Sequence, residues 1–149
     1  MTNSELIILD NIKILSFTGT RKGMTLSQIE SFKSILDNFK NNFKEIILIH
    51  GDCIGADEDA HAIANNMNLK IRKRPCNIIS FRAFTEEGNI IADPEDPIIR
   101  NHKMVDESDE LIACPAGEEE IRSGTWSTIR CAKKLQKKLT IIWPSGQID

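Results

Sequence analysis

The chain has 149 residues, 40% of them apolar and 28% charged, with a formal net charge of −3. That length suits one domain, 1–149, built on one core, and so small a net charge provides no global basic field for nucleic acid. No apolar run approaches the ~18 residues of a membrane span, and the N-terminus lacks a signal peptide's basic start and apolar core, so a cytoplasmic protein without a membrane partner is expected.

Cys53, Cys76, Cys114 and Cys131 are scattered, with no CxxC pair. This favours free thiols over a disulfide scaffold, and no metal site is expected.

The first strand pattern, Ile12–Phe17, runs into Phe17-Thr18-Gly19-Thr20-Arg21. A helix is predicted from Leu26 to Asn38. Thr25 is its cap and Gln28 completes a capping box; Leu26, Ile29, Phe32, Leu36 and Phe39 form one stripe. A second strand, Ile46–His50, leads into Gly51-Asp52-Cys53-Ile54-Gly55-Ala56-Asp57, which opens a helix over Ala56–Met67. A third strand covers Lys70–Arg74. Residues Pro75–Pro97 then form one long irregular connection, of the kind that serves as a lid, an interface element or a mobile segment. Asp96-Pro97 is a cap and a first-turn proline, so a short helix should start near Ile98. Strand Glu110–Cys114 follows. Ser123-Gly124-Thr125 opens a helix to Lys137, and Leu139–Trp143 closes the series.

Apolar runs alternating with helical patterns imply an α/β fold: one Rossmann-like open parallel sheet of about five strands, with helices on both faces. Right-handed crossovers favour strand order 3-2-1-4-5. Ligands in such sheets bind at the carboxyl ends of the strands, where the strand order reverses. The three glycine-bearing turns would all lie on that edge. A strand, a Gly/Ser/Thr turn and a helix start present free N–H groups to an anion, so the turns suggest one composite pocket for a phosphorylated ligand.

Each turn has a chemical reading and a plain one. Thr18, Gly19, Thr20 and Arg21 offer amides, hydroxyls and a guanidinium to phosphate, or form an ordinary connection with an exposed arginine. Gly51 and Gly55 permit close backbone approach. Asp52 and Asp57 suit ribose hydroxyls, or Asp57 merely complements a helix dipole. Cys53 and His50 make an isolated H-x-x-C without a second ligand pair. Arg100, Asn101 and Lys103 share one helical turn, and Arg100 and Lys103 share a face. Ser123, Gly124 and Thr125 form the best single phosphate site. Trp126 either stacks on a base or, as its spacing favours, packs in the core. Neither GxxxxGK[ST] nor GxGxxG occurs, which removes the main support for an ATPase or a nicotinamide dehydrogenase; no cofactor is expected.

The ordered set of Phe17–Arg21, Gly51–Asp57, Arg100-Asn101-His102-Lys103-Met104-Val105, Asp109–Pro115 and Ser123–Thr125 resembles the SLOG superfamily. That group joins DprA-like DNA-processing proteins to LOG-type, lysine-decarboxylase-like phosphoribohydrolases. The resemblance spans Ile12 to Trp143. It implies a Rossmann-like fold, a pocket for nucleotides or nucleotide derivatives, and frequent dimerisation. The LOG enzymes carry PGGxGTxxE, whose glutamate acts in catalysis with an upstream arginine. Here Pro115-Ala116-Gly117 is separated from Gly124-Thr125 by an acidic insertion, and the glutamate position is Thr128. A hydroxyl does not replace that carboxylate.

The resulting expectation is a protein that binds a nucleotide or nucleotide-derived signal, such as cyclic ADP-ribose or a cyclic nucleotide, without efficient turnover. It would act as a sensor or a sequestering protein. A sequestering role fits phage counter-defence, because SLOG domains also serve as sensors in antiviral systems. The alternatives are a nucleoside 5'-monophosphate phosphoribohydrolase and a DprA-like DNA-binding accessory protein. A homodimer or higher homo-oligomer is expected, and nucleic acid is the less favoured partner because no basic and aromatic track is evident.

Overall fold

The computed structural model describes residues 11–149. The reading that the N-terminus carries no leader therefore lies outside the described residues. Strand β1 is Ile12–Gly19, followed by helix α1 (Leu26–Asn42), β2 (Glu45–His50), α2 (Ala56–Asn66) and β3 (Lys70–Lys73). A 3-10 turn (Ile79–Phe81) and a short β4 (Asn89–Ile90) precede α3 (Pro97–Glu107), β5 (Glu110–Cys114), α4 (Gly124–Lys134) and β6 (Lys138–Ile141). The strands form one sheet in the order β4-β3-β2-β1-β5-β6, and every pairing is parallel. The five expected strands keep their expected order. The sixth, β4, adds to the β3 edge from within the Pro75–Pro97 connection. Two residues give no readable periodicity, so the sequence pattern missed it.

Alternation along the strands explains the two apolar faces. Leu15, Phe17, Ile46 and Leu48 pack beneath Phe32 and Leu36 of α1 and Ala60 and Ala64 of α2. Ile47 and Ile49 face Met104 of α3, while Leu111 packs with Val105 and Ala132 and Ala113 with Ile129. The Phe17 and Phe32 rings meet at 5.2 Å. Leu26 begins the stripe of α1 in sequence but is 81% exposed, because the first turn overhangs the sheet edge.

The α1 cap forms as its pattern requires. Gln28 N donates to Thr25 Oγ1 at 3.0 Å, and Thr25 N donates back to Gln28 Oε1 at 2.9 Å. The structure adds a tertiary role. The buried Gln28 amide donates from Nε2 to the Pro115 carbonyl at 2.9 Å and to the Ile142 carbonyl at 3.0 Å. One side chain thus caps α1 and satisfies the backbone just beyond β5 and β6. Gln28→Ala should lower unfolding free energy by about 3 kcal/mol, as a lost cap plus buried unpaired carbonyls. Urea unfolding checks this.

Candidate functional site

The sheet order reverses between β1 and β5, and a cleft of about 340 Å³ opens at the carboxyl ends of the central strands there. It is lined by Thr18, Gly19, Thr20 and Arg21 from the first turn, Gly51, Cys53 and Asp57 from the second, Arg100 and Asn101 from α3, and Ser123, Gly124 and Thr125 from the start of α4. All three glycine turns meet there. Phe17, Lys22, Phe81, Pro97, Met104, Ala116, Glu120 and Arg122 complete the lining, and of these Phe81 and Arg122 belong to no pattern that the sequence displays. Phe81 gave no local signal, since it belongs to a segment that reaches the cleft only through tertiary contacts.

Several amides of the first turn are satisfied within the fold. Thr20 N donates to the Cys114 carbonyl at 3.1 Å, Lys22 N to Thr20 Oγ1 at 3.2 Å, and Gly23 N to the Thr20 carbonyl at 3.2 Å. These amides are spent inside the fold, so the turn offers the cleft its cationic side chains. The Arg21 guanidinium lies 3.5 Å over the Phe81 ring, a cation–π contact. Two glycines here exist for close packing. A Cβ on Gly19 would stand 2.4 Å from the Ala56 Cβ, and one on Gly55, at φ +95, would stand 2.3 Å from the Arg21 carbonyl oxygen.

Arg100 is 6% exposed and held entirely by neutral acceptors. It donates from Nη1 to the Gly51 carbonyl at 2.9 Å and the Arg74 carbonyl at 3.0 Å, and from Nε to Asn101 Oδ1 at 2.8 Å. Its guanidinium also reaches Cys53 Sγ at 3.8 Å. Lys103 does not join it: the lysine turns outward and pairs with Glu95 at 2.5 Å. Ser123 Oγ accepts the Trp126 amide at 3.3 Å, while the first-turn amides of Gly124 and Thr125 have no partner within their own helix. Thr128, in the position of the LOG glutamate, is buried and donates to the Gly124 carbonyl at 3.0 Å.

Besides Lys103, three sequence candidates stand away from the lining. Trp126 is core: it packs on Trp143 with ring centroids 5.8 Å apart and donates from Nε1 to the Gly117 carbonyl at 3.2 Å. Gly55 lies behind Arg21. Asp52 is fully buried and faces the strap formed by the 75–97 connection, accepting from Arg82 Nη2 at 3.1 Å, Thr85 N at 3.0 Å and Thr85 Oγ1 at 2.6 Å. Burial would raise its pKa, but the Thr85 and Arg82 donors hold the carboxyl below its usual range.

Asp57 is the buried carboxylate of the cleft lining, which Glu120 also joins. Cys53 N donates to its Oδ2 at 3.0 Å. Burial pushes its pKa up to about 6, against the opposing pull of the backbone amides and Arg100. Burial also pushes the Cys53 thiol up to about 12, so it is no nucleophile near neutrality. Among the described residues no cluster of His, Cys, Asp and Glu could hold a metal ion, and no helix is long and apolar enough to cross a membrane.

The pH dependence of stability follows from Asp57 and from His50, whose pKa burial lowers from 6.5 to about 3. The raised Asp57 pKa means the native state holds this proton more tightly, so stability falls as pH rises from 3.8 through about 6. The lowered His50 pKa acts oppositely: stability falls as pH drops from 6.5 towards about 3. The two windows largely offset one another in wild type. Asp57→Asn removes one of them. Relative to wild type its unfolding free energy should therefore gain about 3 kcal/mol between acid and neutral pH, which denaturant unfolding across that range checks.

No protein-family model matches the sequence, and no curated protein matches it. Solved structures match the fold. A molybdenum cofactor binding protein from the phototrophic bacterium Rippkaea orientalis superposes with a TM-score of 0.66 at 19% identity, over 89% of this chain and 77% of that one. DNA processing protein A from Helicobacter pylori, solved for its single-stranded DNA binding mode, gives 0.61 at 20% identity, over 94% of this chain and 68% of that one. Its counterpart from Streptococcus pneumoniae gives 0.64 at 16% identity, and 89% of this chain covers 53% of that protein, about half its length. The chain thus shares the Rossmann-like α/β fold of these proteins.

Proposed function

We propose that this cleft binds a phosphorylated, nucleotide-type small molecule and holds it without efficient turnover. One observation carries the reading. The open N-terminus of α4, with Ser123, Gly124 and Thr125, faces the same cleft as Arg21, Lys22 and Arg122. Free amides, a helix dipole and guanidinium groups together suit a phosphate. Phe81 and Pro97, with Met104 beneath, give the same cleft apolar walls suited to a ring system. The cleft volume falls in the range of small-molecule sites.

Slow chemistry follows from the same geometry. Thr128 is tied into its own helix, and the Cys53 thiol stays protonated. A second reading, glycosidic cleavage of a nucleoside monophosphate, draws chiefly on Asp57, because a cleft carboxyl with a pKa of about 6 has the form of a general acid; Glu120 is the other carboxylate in the lining.

The protein purified from cells, denatured and analysed by mass spectrometry should release a stoichiometric, intact nucleotide-type compound. Free base with ribose phosphate, formed from any common nucleoside monophosphate at about 1 s⁻¹ or faster, would establish the enzyme instead. Tight binding of single-stranded DNA with no small molecule recovered would favour the DNA-binding alternative. Arg21→Ala and Arg122→Ala should each weaken binding of the recovered compound by about 1.5–3 kcal/mol in calorimetry, with the fold retained. Unchanged affinity in both would remove the cationic side of the cleft from the site.

A further inference from the structure

We propose that His50 is the positioning residue of the cleft: its ring fixes the Gly51–Asp52 peptide in one orientation, and that peptide holds both Arg100 and the strap. The inference does not depend on which ligand the cleft takes.

His50 ends β2, is fully buried, and does not line the cleft. Its Nδ1 accepts the Asp52 amide at 2.9 Å. The carbonyl at the other end of that same planar peptide, from Gly51, accepts from Arg100 Nη1 at 2.9 Å. One rigid unit is therefore gripped by a neutral ring on one side and a cation on the other. The grip has work to do, because Asp52 sits at φ 55, a left-handed conformation that L side chains disfavour.

Asp52 then ties down the strap. Its carbonyl accepts from Ala83 N at 2.8 Å, and its carboxylate takes the Thr85 and Arg82 donors. Ile54 N donates to the Phe81 carbonyl at 2.9 Å. This is how the strap brings Phe81 against Arg21.

The proton positions on two histidines follow from the backbone donor. Because Asp52 N–H points at His50 Nδ1, the His50 proton sits on Nε2, which meets His61 Nδ1 at 2.9 Å. The His61 proton must then sit on Nε2, which meets Glu87 Oε2 at 3.0 Å. All donors run one way, from Asp52 through His50 and His61 to Glu87 on the strap. A second proton on His50 would face the Asp52 amide, and one on His61 would face the His50 Nε2–H. Neither ring takes a proton without breaking a link. The other charges bearing on His50 are Lys73 on β3 and Arg100 on α3, which oppose its protonation, and Asp52, which favours it. Arg82 and Glu87 face this group from the strap. Burial is the largest influence and lowers the His50 pKa.

Two measurements on the unliganded full chain test this. Imidazole nitrogen NMR at about pH 7 should show His50 and His61 both neutral with the proton on Nε2; an Nδ1–H tautomer or an imidazolium in either ring overturns the proposal. Amide hydrogen exchange should show protection at Asp52, Ala83 and Thr85 falling at least about tenfold in His50→Leu, which lacks the acceptor. His50→Asn, whose Oδ1 stands near the lost Nδ1, should keep most of that protection. Wild-type protection at these amides in His50→Leu overturns the proposal. Should His50→Leu fail to fold, acid titration of wild type decides: the three amides must lose protection in step with protonation of the pair, and protection that persists in the protonated protein overturns it.

Discussion

The buried positive charge of Arg100 is the constraint around which the site is organised. Among the described residues it forms no ion pair, and its hydrogen-bonding partners are carbonyls, an amide oxygen and a thiol. A charge removed from water needs its donors filled, and neutral acceptors do this without cancelling the field. The result is a cationic floor that stays cationic. Gly51 leaves room for it: a Cβ there would stand 2.4 Å from Arg100 Nη1 and would push the guanidinium from its acceptors. Arg74, whose carbonyl supplies another acceptor, is itself held by Glu95 and Glu107, so the support extends outward from the cleft to α3.

The acids near this floor have separate fates. Asp52 meets three donors and stays ionised behind the cleft wall, whereas Asp57 meets burial first and is half-neutralised near its pKa of about 6. Glu119 is drawn away by Arg130 at 2.9 Å, and Arg130 also donates to the carbonyls of Glu120 and Ile121. The acidic insertion is thereby pinned to the flank of α4, which leaves Glu120 as its one acid in the lining.

Much of this was legible because local chemistry dictated it. Thr25 and Gln28 specify a capping box by their spacing, Asp96-Pro97 specifies a helix start, and the apolar runs specify parallel strands buried on both faces. Trp126 at helical spacing reads as core, and it is core. The failures come from long-range contacts. Arg100 and Lys103 lie three residues apart on one turn, yet one faces the cleft and the other a partner across its rim, because the boundary of the cleft runs between them. Asp52 reads as a ligand acid beside two glycines; its true neighbours, Arg82 and Thr85, are 30 and 33 positions away and no local pattern announces them. Nor does periodicity reveal two buried histidines that meet, one ending β2 and the other midway along α2.

The two margins of the sheet are closed by fragments. On one side β4 lays two residues along β3, just after Gly88, whose φ of +85 turns the chain into place. On the other the chain folds back after β6: Ile141 and Asp149 exchange both backbone bonds at 2.9 Å, and Trp143 N donates to the Gln147 carbonyl at 2.9 Å. Margins occupied in this way leave little unpaired ladder for a foreign strand to extend. Contact with another copy of this chain is then a matter of side chains on helices and loops, where charge and shape set specificity, and the sheet is spared the indiscriminate zippering to which open ladders are prone.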